Sequence, residues 1–289
     1  MAILTETISE AGFSGYLARP ERAAAPLPGL LVIQEAWGVD AHIEDVTRRF
    51  AAAGYLALAP DLFAEGGQRP PPFAPPRMAE LQAFMNAAPP NVFSDAGARE
   101  AALAKLPEPD RTRVGESLGA LTAVMAPARR EGLLATLQAA ARYLREVRPE
   151  TRGANVDAKA NAEANAEANA EAKIGAIGFC LGGGLSAHLA CRDPELGAAV
   201  VFYGVPPAAE EIAKIRCPVL MLFGTADQRI AGTVPAFDEA MRGAGQRFER
   251  IAYEGAGHAF FNDGRPTYDV AAARDAFVRV LAFLRDALV

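Results

Sequence analysis

Short apolar runs alternate with helical patterns along this chain, and that alternation limits its fold more than any other feature. Leu30-Leu31-Val32-Ile33 follows the breaker Pro28-Gly29 and reads as a buried strand. Residues 41–53 read as a helix with Ile43, Val46, Phe50 and Ala53 on one face, stopped by Gly54. Tyr55 to Ala59 is the next strand, closed by Pro60-Asp61. The rhythm resumes with a strand over Ile174 to Phe179, a helix over Leu181 to Cys191 and strands over 198–203 and 219–223. A helix over 233–243, a strand over 248–253 and a closing helix over 268–287 follow. Gly12 to Ala18 adds an edge strand. Such a pattern implies an α/β fold, a mostly parallel sheet with helices on both faces.

Two stretches break the rhythm. Residues 66–130 hold Pro70-Pro71-Pro72, Pro75-Pro76 and Pro89-Pro90, with short helices expected near 77–87 and 94–105 and no strand. This Pro-rich helical insertion is a candidate lid, or a solvated surface excursion. Residues 154–172 form a low-complexity insertion whose Ala-Asn-Ala-Glu repeat lacks large apolar side chains. Neither looks like a linker between two cores, so the 289 residues are expected to form one domain.

Charge and cysteine content exclude several function classes. A net charge of −6 without a basic cluster argues against nucleic-acid partners. Cys180, Cys191 and Cys217 form no CxxC and are odd in number, which suggests free thiols in a reducing compartment. With no signal-like N-terminus and no long apolar run, the expectation is a cytoplasmic protein without a membrane partner, a monomer or small homo-oligomer.

The sharpest local motif is Gly178-Phe179-Cys180-Leu181-Gly182-Gly183, between the strand 174–179 and a helix. It is a nucleophile-elbow pattern with Cys in the Ser position. Glycines two residues either side of Cys180 suit a strained turn, and the thiol sits at a helix N-terminus, where the dipole favours a thiolate. The Leu181 N–H could face an oxyanion. The bland alternative is a glycine-rich turn around an inert cysteine. Gly115-Glu116-Ser117-Leu118-Gly119 also fits G-x-S-x-G, but Pro109 to Val114 before it is too polar for a buried strand.

A cysteine elbow needs a base and an orienting acid. His258 lies in a loop after the last strand, and Asp227 directly follows the strand 219–223, giving the chain order nucleophile, acid, histidine. His188, eight residues along the helix from Cys180, reads as a surface or packing residue. The loop Gln34-Glu35-Ala36-Trp37-Gly38 follows the first parallel strand, where the Ala36 N–H would be the second oxyanion donor. Glu35 at the end of a buried strand requires a partner.

Glu35-Ala36-Trp37-Gly38, Gly54 to Leu62, Gly178 to Gly183, Phe202-Tyr203-Gly204, Phe223 to Asp227 and Gly257-His258-Ala259-Phe260 resemble the dienelactone hydrolases (carboxymethylenebutenolidases) of the α/β-hydrolase fold. The resemblance implies hydrolysis of a lactone or small ester by a Cys180–His258–Asp227 triad, with Glu35 holding the resting thiol. It implies no metal and no organic cofactor. Trp37, Phe260 and Asn262, beside these motifs, are candidate substrate contacts. Where the family carries a substrate-binding arginine after the histidine, this chain reads Ala259-Phe260-Phe261-Asn262, with no arginine until Arg265. Arg69 and Arg77 are the candidates for a second. The competing reading is an α/β-hydrolase-fold binding protein without turnover.

Overall fold

The computed structural model describes residues 2–10, 12–22, 26–89, 91–92, 95–151 and 173–289. The low-complexity insertion at 154–172 lies outside them. Eight strands form one sheet: β1 (Ile3–Glu10), β2 (Phe13–Pro20), β3 (Gly29–Ile33), β4 (Leu56–Pro60), β5 (Ile174–Phe179), β6 (Leu196–Phe202), β7 (Val219–Gly224) and β8 (Phe248–Tyr253). Their order is β1-β2-β4-β3-β5-β6-β7-β8. β1 and β2 are antiparallel, β2 is antiparallel to β4, and β3 through β8 run parallel to one another.

The central strands β3, β4, β5 and β7 are buried along their whole length, as continuous apolar runs in a sheet covered on both faces should be. Each fully buried Leu, Ile or Val contributes about 1.5–3 kcal/mol of transfer free energy. β8 mixes exposed and half-buried residues, as an edge strand can. β1 was not expected: only Ile8 among its side chains is buried, so it carries no apolar signature. Its ladder to β2, from Ile3 opposite Pro20 to Glu10 opposite Phe13, holds it instead.

The helices are α1 (Ala41–Ala52), α2 (Pro75–Ala87), α3 (Ala96–Leu103), α4 (Asp110–Met125), α5 (Arg130–Arg142), α6 (Leu181–Ala190), α7 (Ala209–Ile212), α8 (Gln228–Ala231), α9 (Val234–Gly243) and α10 (Val270–Leu288). Asp40 starts α1 by accepting the Ile43 N–H at 3.0 Å. α1 and α10 meet on one face of the sheet, where the Phe50 and Phe277 rings lie 5.4 Å apart. α5 and α6 pack together on the other. Among the described residues no helix is long and apolar enough to cross a membrane.

Chain order makes the site. From β3 the chain steps through α1 to β4 on one side. It then passes through α2 to α5 and enters β5 on the other side of β3. The C-terminal ends of β3 and β5 therefore flank a topological switch point, where open α/β sheets leave a crevice.

Candidate active site

β5 delivers Cys180 into that crevice in a conformation that non-glycine residues avoid, φ 53° and ψ −110°. The glycines make the bend feasible. A Cβ on Gly178 would lie 1.9 Å from the Gly182 carbonyl oxygen, and one on Gly182 would lie 2.3 Å from the Ile33 carbonyl oxygen. Hydrogen bonds lock the bend to both neighbouring strand ends: Cys180 N–H donates to the Phe202 carbonyl at 3.1 Å, and Gly182 N–H donates to the Gln34 carbonyl at 3.1 Å. The Leu181 N–H begins α6 and has no intrahelical acceptor.

His258 reaches the elbow from the loop after β8. Its Nδ1 is 2.6 Å from Asp227 Oδ2, and it lines the same cavity as Cys180. Burial disfavours the imidazolium, but the hydrogen bond to Asp227 and the neighbouring Cys180 and Asp227 side chains outweigh it and push the imidazole up to about 10. Burial works against the Asp227 carboxylate as well. The His258 bond and charge prevail there and hold it below the usual carboxylate range. Asp227 is fixed further as the cap of α8, accepting the Ile230 N–H at 3.4 Å. The structure thus brings one residue from each of three strand ends, Cys180, Asp227 and His258, to the wall of one cavity of about 510 Å³ that Ala36, Trp37 and Arg265 also help to enclose.

The same frame is found in known proteins. The sequence profile described as "Dienelactone hydrolase family" matches residues 13–288. The chain belongs to the dienelactone hydrolase family. A "Putative carboxymethylenebutenolidase" of Escherichia coli O157:H7 is 30% identical over 282 residues, spanning 93% of this chain and 81% of that protein. A protein of the same name from Saccharolobus solfataricus is 30% identical over 271 residues, spanning 93% and 92%. The crystal structure of a "Putative Dienelactone Hydrolase" from Klebsiella pneumoniae aligns over 98% of each chain with a TM-score of 0.64 and 27% identity. As a dienelactone hydrolase family member, the chain is a hydrolase of the ester and lactone type.

Within this dienelactone hydrolase frame, Glu35 has partners other than those the resemblance implied. It is 2% exposed. Oε1 accepts the Tyr203 hydroxyl at 3.1 Å and Oε2 accepts the Asn262 amide at 2.7 Å; no hydrogen bond to the sulfur is present among the described residues. Burial raises its pKa, opposed first by the charge of His42 and then by the two hydrogen bonds. Asn262 is therefore a support for Glu35, buried away from the cavity, and not a wall facing substrate. Phe260 is likewise fully buried, with its ring 5.0 Å from Tyr253 and 5.5 Å from Tyr203.

Neither proposed arginine lines the cavity. Arg69 donates from Nε to Asp61 at 2.6 Å and from Nη2 to the Val39 carbonyl at 2.9 Å, bracing the loop that carries Ala36 and Trp37. Arg77 joins α2 to α4 through Glu116 at 2.9 Å. The cationic lining comes from Arg229 and Arg265. The Arg265 guanidinium sits 5.0 Å from the Trp37 ring centroid, and its Nη1 is buried without a hydrogen-bond partner. In the sequence Arg265 stands out only as the first arginine after His258, and Arg229 only as two residues beyond Asp227. Met85 and Met125, from the Pro-rich insertion, complete the roof. Ser117, the competing elbow serine, is buried inside α4.

Proposed function

We propose that this protein hydrolyses small esters and lactones through Cys180. The sulfur attacks the carbonyl carbon, and the oxyanion forms against the N–H groups of Leu181 and Ala36. Collapse breaks the ester C–O bond, leaves a thioester on Cys180 and passes a proton from His258 to the departing alcohol. Water, deprotonated by His258, then cleaves the thioester, and the sulfur and imidazole recover their starting state. The raised pKa of His258 supports this order of events, because the imidazole carries the proton that the leaving group needs. Asp227 fixes its tautomer. Glu35 acts through Tyr203 and Asn262 by positioning the loop beside the elbow. Trp37 and Arg265 hold the substrate.

One observation carries the reading: a strained cysteine shares a cavity wall with an imidazole that is bonded to a buried aspartate. Cys180 is partly exposed there, which favours turnover over a binding role. Met85 and Met125 support the insertion as a lid over the site. All three thiols are free, which supports a reducing, cytoplasmic setting. The test is intact-protein mass spectrometry during turnover of p-nitrophenyl acetate. An acetyl adduct on Cys180 with a burst of nitrophenol is expected, and both vanish in Cys180→Ala. Undiminished turnover in that variant would refute the proposal.

A further inference from the structure

A second cavity, of about 270 Å³, also ends on Cys180, but His258 does not line it. It shares only Cys180, Met125 and Arg229 with the larger cavity. Its floor is one face of α6: Cys180, Gly184 and His188 recur every four residues, with Leu181 and Leu185 beside them. Eight residues at 1.5 Å each make this floor about 12 Å long. The walls along it are apolar, formed by Leu133, Val205 and Pro206.

The lining turns polar at its far end. His188 is 6% exposed, and its Nδ1 makes no hydrogen bond, although Glu211 lies 3.4 Å away. Burial first, then the charges of Arg130 and Arg192, push its imidazole down to about 4, so it is neutral. Glu211 and Glu131 are engaged by Arg192 at 2.8 and 3.0 Å. Arg130, which also lines this cavity, forms no ion pair among the described residues. An apolar trough ending in an unpaired guanidinium and a neutral imidazole suits a chain with an anionic terminus.

The larger cavity leaves this trough for one half of the substrate. His258 must reach the leaving oxygen, so the alcohol occupies the cavity that His258 lines, and the acyl substituent takes the other. We propose that the trough along α6 is an acyl-arm site and that the preferred substrates are open-chain esters whose acyl chain ends in a carboxylate, bound by Arg130 and His188. This rests on the Cys180 thioester reading. A lactone keeps both halves in one ring and cannot fill both cavities at once.

The test compares p-nitrophenyl acetate, p-nitrophenyl hexanoate and the mono-p-nitrophenyl ester of adipic acid, which matches the hexanoate in length and adds the terminal carboxylate. The wild-type protein should prefer the adipate ester over the hexanoate by about tenfold in kcat/KM, and Arg130→Gln should erase that preference through KM. A hexanoate handled as well as the adipate, or a preference that survives in Arg130→Gln, overturns the proposal. Turnover of acetate without either longer ester would also overturn it while leaving the Cys180 chemistry intact. If none of the three is cleaved and no adduct forms, the reaction itself fails and the acyl-arm site falls with it.

Discussion

The Tyr203 hydroxyl donates to Glu35 Oε1 across 3.1 Å, and both residues are closed to water. Tyr203 directly follows β6 with φ 39°, Glu35 follows β3, and Asn262 joins them from the loop beyond His258. One carboxylate therefore ties together three chain segments that meet at the elbow. The Tyr203 ring also stands edge-on to His258, 5.1 Å between centroids, so the relationship extends to the base.

Tyr203→Phe removes that donor while keeping the ring. Glu35 then retains only the Asn262 bond, and a buried acceptor atom loses its partner. Stability should fall by about 1–3 kcal/mol, read from urea denaturation. A variant as stable as the wild type would show that the bond carries no weight.

Glu35→Gln makes the opposite trade. The amide can donate to the Tyr203 oxygen and accept from Asn262 without an ionised group in a dry site. Burial raises the Glu35 pKa in the folded state above its unfolded value. Its contribution is thus most favourable below the unfolded value and declines as pH rises through the folded one. Relative to Glu35→Gln, the wild type should lose stability as pH rises above the ordinary Glu35 value of 4.5. Denaturation midpoints of the two proteins that track together across this range would contradict the assignment.

Asp227→Asn should act on His258 in two ways. Without the carboxylate the imidazole loses the partner that lifts it to about 10, and its titration, followed by ¹⁵N NMR, should move down toward the ordinary value. Turnover should drop on the order of a thousandfold or more, because the tautomer is no longer fixed.

The same pair shapes stability against pH. The raised His258 contributes fully below its ordinary value of 6.5, and that contribution is lost as pH climbs through about 10. Asp227, lowered from 3.8, contributes above that value and loses its share as pH falls through its folded-state value. Thermal midpoints should decline at both ends, and Asp227→Asn should flatten both. An unchanged profile in the variant would count against the coupling.

Two glycine substitutions should diverge sharply. Gly178→Ala puts a methyl 1.9 Å from the Gly182 carbonyl oxygen, so the elbow cannot close and soluble yield should collapse. Gly115→Ala meets nothing within 4 Å inside α4. It should stabilise the protein by about 0.5–1 kcal/mol, the helix propensity difference, measured as a raised Tm. A loss of activity from Gly115→Ala would reopen the case for Ser117.

The inner parallel strands were legible as continuous apolar runs: 174–179 matches β5 in full and 219–223 falls one residue short of β7. The edge strand over 248–253 matches β8 in full, with Phe248, Ile251 and Tyr253 as its inward residues. Hidden elements are those whose signal is not apolar. β1 exposes nearly all its side chains, and α4 begins after Pro109 with a polar turn that resembles a loop. Pro75 and Pro76 looked like breakers but begin α2, where the missing N–H groups cost nothing.

Asp227 and His258 were visible as punctuated loops at strand ends, whereas Arg69, Arg77, Phe260 and Asn262 were assigned to substrate and turned out to hold protein instead. Periodicity, glycine spacing and chain order are properties of the neighbouring chain, so the sequence alone determined the layered sheet, the bend at Cys180 and the order of the residues gathered there. A long guanidinium or a buried carboxylate takes whichever partner the folded chain brings within hydrogen-bond reach. That choice, and with it the partners of Glu35, the cations around the cavity and the trough along α6, was made only when distant segments packed together.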